Sequence, residues 1–219
     1  MELKYKNWND ISINVYNKLQ TLLTPNNNED VLLGTLDNNI QLLSILCDVD
    51  EDKICELSRS EFSALLSQTK FLSEIPKAKI RDNYVVNGKK YNVFLNISDM
   101  QMSQYIDYQT FIKDKDKYTA EIMACFLIPK GKKYGEGYDI AEVIKEFGEH
   151  LSIVDAYSIM FFFAISFQSL TKTTLIYLEK KLKREMKKMT SEQKAKITEA
   201  MEQLREVIDL LKNGDGFTI

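Results

Sequence analysis

The sequence predicts a mainly α protein with one β-hairpin, in which a helical domain (residues 1–170) is followed by a long charged C-terminal helical hairpin (171–219). Three observations point there. Apolar residues recur at intervals of three and four through most of the chain. One stretch, about 79–97, instead carries aromatic and β-branched residues on both sides of an Asn-Gly pair. The final segment is rich in lysine and glutamate around a heptad-like apolar seam.

The elements follow in order. Asn9 or Asp10 is placed to cap a first helix carrying Ile11, Val15, Leu19 and Leu22 and stopping near Pro25. After Asn26, Asn27 and Asn28, a second apolar face (Val31, Leu32, Leu36, Ile40, Leu43, Ile45) runs to about Cys47. The acidic run Asp48 to Asp52 opens like a calcium loop. It then has Lys53 and Arg59 where the bend glycine and bidentate glutamate belong, so it reads as acidic capping of a short helix with Ile54 and Leu57. Ser58 and Glu61 form a capping box for a helix through Phe62, Leu65, Leu66 and Leu72, and Pro76 ends that region. Asn87-Gly88 between Tyr84-Val85-Val86 and Tyr91, Val93 and Phe94 specifies a hairpin, because a type I′ turn needs positive φ at both central residues.

Ser98 or Asp99 caps the next helix, with Met102, Tyr105, Ile106, Gln109 and Ile112 following. Asp114 to Lys117 is a charged turn, and a short helix from Tyr118 to Ile128 is ended by Pro129. A basic loop with Lys130, Lys132, Lys133 and Tyr134 leads to Asp139, which caps a helix with Ile140, Val143, Ile144 and Phe147. Leu151 to Leu170 is the most apolar stretch, but Asp155, Ser158, Ser166, Gln168 and Ser169 interrupt it, so it is expected to be a core helix and no transmembrane segment. It continues through Leu175, Tyr177, Leu178 and Leu182 into a basic tail near Met189. Thr190 and Gln193 then open a last helix with Ile197, Met201, Leu204, Ile208 and Leu211 on its seam, closed by Asn213-Gly214.

Composition narrows the function. A chain of 219 residues, 44% of them apolar, is long enough to bury one substantial core or two small ones, with a single domain plus an extension favoured. A net charge of -3 argues against a dedicated duplex-DNA binder. The charge is uneven, however. Residues 1–75 carry 12 acidic groups against 6 basic ones, whereas Lys172 to Lys188 holds 7 basic against 2 acidic, giving a candidate basic face at Lys180, Lys181, Lys183 and Arg184. Contact of that face with nucleic acid or a membrane is a third, weaker reading. Cys47, Cys55 and Cys125 form no CxxC pair and read as reduced core residues. The N-terminal MELKYKNWND has no secretory apolar region, so the chain is expected in the cytosol of the cell that makes it.

Catalytic signatures are missing. His150 is the one histidine, and no HExxH, GxGxxG or G-x-S-x-G occurs, so no enzyme, catalytic residue, metal site or cofactor is expected. The Gly131 to Gly137 loop has the glycines and lysines of a phosphate cradle but not the G-x-x-x-x-G-K-[ST] order. Lys130, Lys132, Lys133 and Tyr134 are instead candidate partner-binding residues.

Three strings carry a resemblance: Tyr5-Lys6-Asn7-Trp8-Asn9-Asp10-Ile11, Gln104-Tyr105-Ile106-Asp107-Tyr108-Gln109, and Phe126-Leu127-Ile128-Pro129-Lys130-Gly131-Lys132-Lys133-Tyr134 with Gly137-Tyr138-Asp139. Over residues 1 to about 170 the chain resembles proteins of tailed bacteriophages of gut Bacteroidales, including crAss-like phages. The resemblance implies a non-enzymatic structural or virion-packaged cargo protein, located in the virion and, during assembly, in the host cytoplasm. The alternative is a tail-assembly chaperone that is not retained in the particle. Its partners would be other phage proteins, or its own copies in an oligomer or ring.

Overall fold

The computed structural model describes residues 1–23, 31–74, 76, 79–94, 96, 99–186 and 198. It is mainly helical, with a small antiparallel sheet. The chain divides into two compact units, Met1–Met160 and Phe161–Ile219, with the division inside the last described helix. The sequence had suggested a boundary at about residue 170.

In the first unit, Asn7 and Asp10 form a capping box, but around a short 3-10 turn, Trp8–Asp10. Helix α1 (Ile13–Leu23) starts after it, with the Ser12 hydroxyl accepting from the Val15 N–H at 3.4 Å. The expected cap at Asn9 or Asp10 therefore belongs to a separate turn. That turn is fastened by Trp8, whose indole N–H lies 2.8 Å from the carbonyl oxygens of both Phe71 and Glu74. Helix α2 (Val31–Cys47) packs on α1, and its Leu43 and Leu46 are fully buried. The acidic run opens α3 (Glu51–Cys55) without a side-chain cap bond from Asp50, while Asp48, at φ 57°, pairs with Lys4. Ser58 and Glu61 form the predicted capping box on α4 (Arg59–Ser67), which tightens into 3-10 geometry over Gln68–Ser73.

The predicted hairpin is present as β1 (Asn83–Val86) and β2 (Lys89–Val93), with Asn87 at φ 47° and Gly88 at φ 76°. Tyr84, Val86, Tyr91 and Val93 face the core, and Asn83, Val85, Lys90 and Asn92 face outward. The sheet has a third strand that the sequence did not suggest. Leu127–Pro129 forms β3 and pairs antiparallel with β2, Tyr91 opposite Pro129 and Val93 opposite Leu127. The helix expected to reach Ile128 therefore stops at Phe126. Proline ends the strand at the sheet edge, where its missing N–H costs no ladder bond.

Helix α5 (Met102–Phe111) has Gln101, and not Asp99, at its N-cap position with no side-chain cap bond, and the other expected cap, Ser98, lies outside the described residues. Its buried side chains are Gln104 and Tyr108. Met102 (71% exposed), Tyr105 (40%) and Ile106 (56%) point to solvent. Gln104 is inside because α6 (Thr119–Phe126) turns directly into β3 and leaves carbonyls free at its C-terminus. The Gln104 amide donates to the Cys125 carbonyl at 2.6 Å, and the Phe94 N–H donates to that of Phe126 at 2.8 Å. Seven of the eight residues of α6 are buried, so this helix is wrapped on nearly every side. Around it lie α5, β3 and α7 (Ile140–His150), which Asp139 caps by accepting from the Ala141 N–H at 2.8 Å.

Helix α8 (Ile153–Met186) begins in the first unit with Ile153, Val154, Ala156 and Ile159 buried. Its start is laced to the N-terminus. The Ile153 N–H donates to Ile11 O at 2.8 Å, and the Ile13 N–H donates to Leu151 O at 3.2 Å. The second unit contains the rest of α8, with Phe161, Ile165 and Tyr177 exposed. The predicted capping box at Thr190, the heptad seam and the Asn213-Gly214 cap lie outside the described residues. Among the described residues, no helix is long and apolar enough to cross a membrane.

Candidate partner-contacting surfaces

The basic loop between β3 and α7 is folded rather than slack. The Lys130 N–H continues the sheet ladder to Lys90 O at 2.9 Å. Gly131, Gly135 and Gly137 all have positive φ, which turns the chain sharply three times in seven residues. At Gly137 a side chain would also meet Lys132, since a Cβ there falls 3.0 Å from its Nζ. The lysine stem therefore lies across the loop.

Lys130, Lys132 and Lys133 are exposed, as a contact role requires. Tyr134 is not: it is 7% exposed, and its hydroxyl donates to Asp107 on α5 at 2.8 Å and lies 3.9 Å from the Cys125 sulfur. Burial pushes the Tyr134 hydroxyl well above the usual phenol range and the Cys125 thiol up to about 12. Tyr134 thus anchors the loop to the helical core, and the three lysines stand free of it. Of the thiols, Cys47 and Cys125 are buried as expected, but Cys55 is exposed, at the end of a helix too short to cover it.

A second polar junction ties the hairpin to α7. Glu146 is 7% exposed, and its Oε2 accepts from the Tyr91 hydroxyl at 3.0 Å and from Lys89 Nζ at 2.8 Å. Its Oε1 is buried without a hydrogen-bond partner among the described residues. The carboxylate raises the Lys89 pKa through that hydrogen bond, and burial, with the same carboxylate, raises that of Tyr91. Neither Asp107 nor Glu146 stood out in the sequence. Their partners are 27 and 55 residues away, beyond any local spacing rule.

These polar clusters bridge elements and do not converge on a shared cavity. An open groove of about 430 Å³ lies elsewhere, lined by residues that include Lys18, Gln41, Ser44 and Glu51. Among the described residues no group of histidine, cysteine and carboxylate side chains is gathered to hold a metal, and His150 is surface-exposed beside Glu149. Two outward faces stand out among the described residues. One is the apolar face of α5. The other is on α8, where Lys180, Lys181 and Arg184 are exposed and share the helix with Lys183.

Comparisons with protein-family models, with curated proteins and with solved structures find no match.

Proposed function

We propose that this chain is a non-enzymatic bacteriophage structural or virion-packaged cargo protein that works through protein–protein contacts. One observation carries the reading. Helix α5 turns its polar Gln104 inward and offers Met102, Tyr105 and Ile106 to solvent at positions i, i+3 and i+4, which are neighbours on a helix surface. A contiguous apolar patch of this kind is what a partner surface buries. The exposed lysines of the 130–133 loop begin where β3 ends and provide a polar contact set.

The strings that carry the phage resemblance are consistent with a common scaffold. Ile11, Gln104, Tyr108, Phe126, Leu127, Ile128 and Tyr134 are all buried.

Peptide mass spectrometry of purified particles of the encoding phage tests the proposal, with infected-cell lysate as reference. Several copies per particle are expected. Strong expression in cells with none in particles would replace this reading with that of a tail-assembly chaperone.

A further inference from the structure

We infer that Tyr177, Lys180, Lys181 and Arg184 of α8 form a docking stripe for single-stranded nucleic acid. This goes beyond the structural reading above and does not depend on it. The four residues stand at i, i+3, i+4 and i+7 of one helix. At about 100° per residue they fall within roughly a third of its circumference and about 10 Å of its length. All four side chains are exposed, Tyr177 at 63%. Among the described side chains, no carboxylate pairs with any of the three cations.

Three cations in so short a span meet neighbouring phosphates of one backbone, and the planar guanidinium adds bidentate phosphate contact. Charge alone would serve any polyanion. The ring among the cations is what selects the single strand, because an unpaired base offers an open face for stacking and a base inside a duplex does not.

The test is fluorescence anisotropy of a labelled dT 20-mer titrated with the full chain at several salt concentrations. Three phosphate contacts predict a log–log salt slope of about -2, a loss of roughly 15-fold between 50 and 200 mM. The Lys180→Glu/Lys181→Glu/Arg184→Glu variant should abolish binding, and Tyr177→Ala should weaken it about tenfold with the slope unchanged. Lys53→Glu/Lys70→Glu/Lys90→Glu makes the same charge change elsewhere and should leave binding intact. Circular dichroism checks the helix in each variant, and a glutamine version of the stripe variant replaces the glutamate one should that lose helix. The inference fails if the 20-mer does not bind at 50 mM salt, or if stripe reversal or Tyr177→Ala has no effect. It also fails if duplex DNA, polyglutamate or phosphatidylserine vesicles bind as tightly as the 20-mer.

Discussion

Glu146 shows how single side chains join distant parts of this chain. It is a carboxylate inside the first unit, and Tyr91, which donates to it, is 1% exposed. Removing one partner of such a bond leaves the other desolvated and unsatisfied, at about 1–3 kcal/mol, whereas removing both is close to neutral. Glu146→Leu, which keeps roughly the same volume, should therefore cost about 1–3 kcal/mol in urea unfolding. Adding Tyr91→Phe should return most of it; losses that simply add would show that the pair does not act as a unit. Lys89 contributes little to this balance, because its ammonium is largely in water. Tyr134 follows the same logic. A tyrosine in a lysine-rich loop looks like a surface residue until Asp107, on another helix, is seen to accept from it.

At the scale of elements, the hairpin was legible in the sequence because its information is local: two residues with positive φ and alternating partners on either side. Gly88→Ala keeps the strands but puts a Cβ in left-handed geometry. Nothing lies within 4 Å of that position, so the cost is conformational, about 1–2 kcal/mol, read as a lowered urea midpoint with an unchanged slope. A matching loss at Gly148 would have a different origin, because a Cβ there meets the Asn14 side chain at 2.7 Å. Strand β3 was not legible. Three residues between a buried helix and a glycine loop show no alternation, and Phe126-Leu127-Ile128 fits a helix end as well as a strand. Helix α5 was legible as a helix but not in its facing. Its apolar side chains suggest one buried face, whereas the need to satisfy the Cys125 carbonyl draws Gln104 inward and sets the rotation. The candidate loop was found by its composition and the anchor of that loop was not, since the anchor depends on tertiary pairing.

The whole molecule should lose stability in alkali, and the sign follows from burial. Burial raises the Tyr108 hydroxyl and the Cys125 thiol each to about 12. In the unfolded chain these groups ionise near 10 and 8.5. Between those values the native state holds protons that the unfolded state has released, so stability is fully present below about pH 8.5 and falls as pH rises. Unfolding midpoints in urea should decline from about pH 9 and steepen above about pH 10, and Cys125→Val should make the decline between about pH 9 and 10 shallower. A midpoint that stays flat from pH 8 to 11 would contradict this. The ladder between residues 11–13 and 151–153 has a consequence of another kind, in time rather than energy. Ser12 and Ser152 are bridge partners 140 positions apart, flanked by the buried Ile11 and Ile13. At a synthesis rate of about 5–20 residues per second, the nascent chain carries Ile11 and Ile13 without their backbone bonds to Ile153 and Leu151 for on the order of ten seconds. The two sides of this seam are thus made far apart in time, and the growing chain is most exposed to premature association just before α8 emerges.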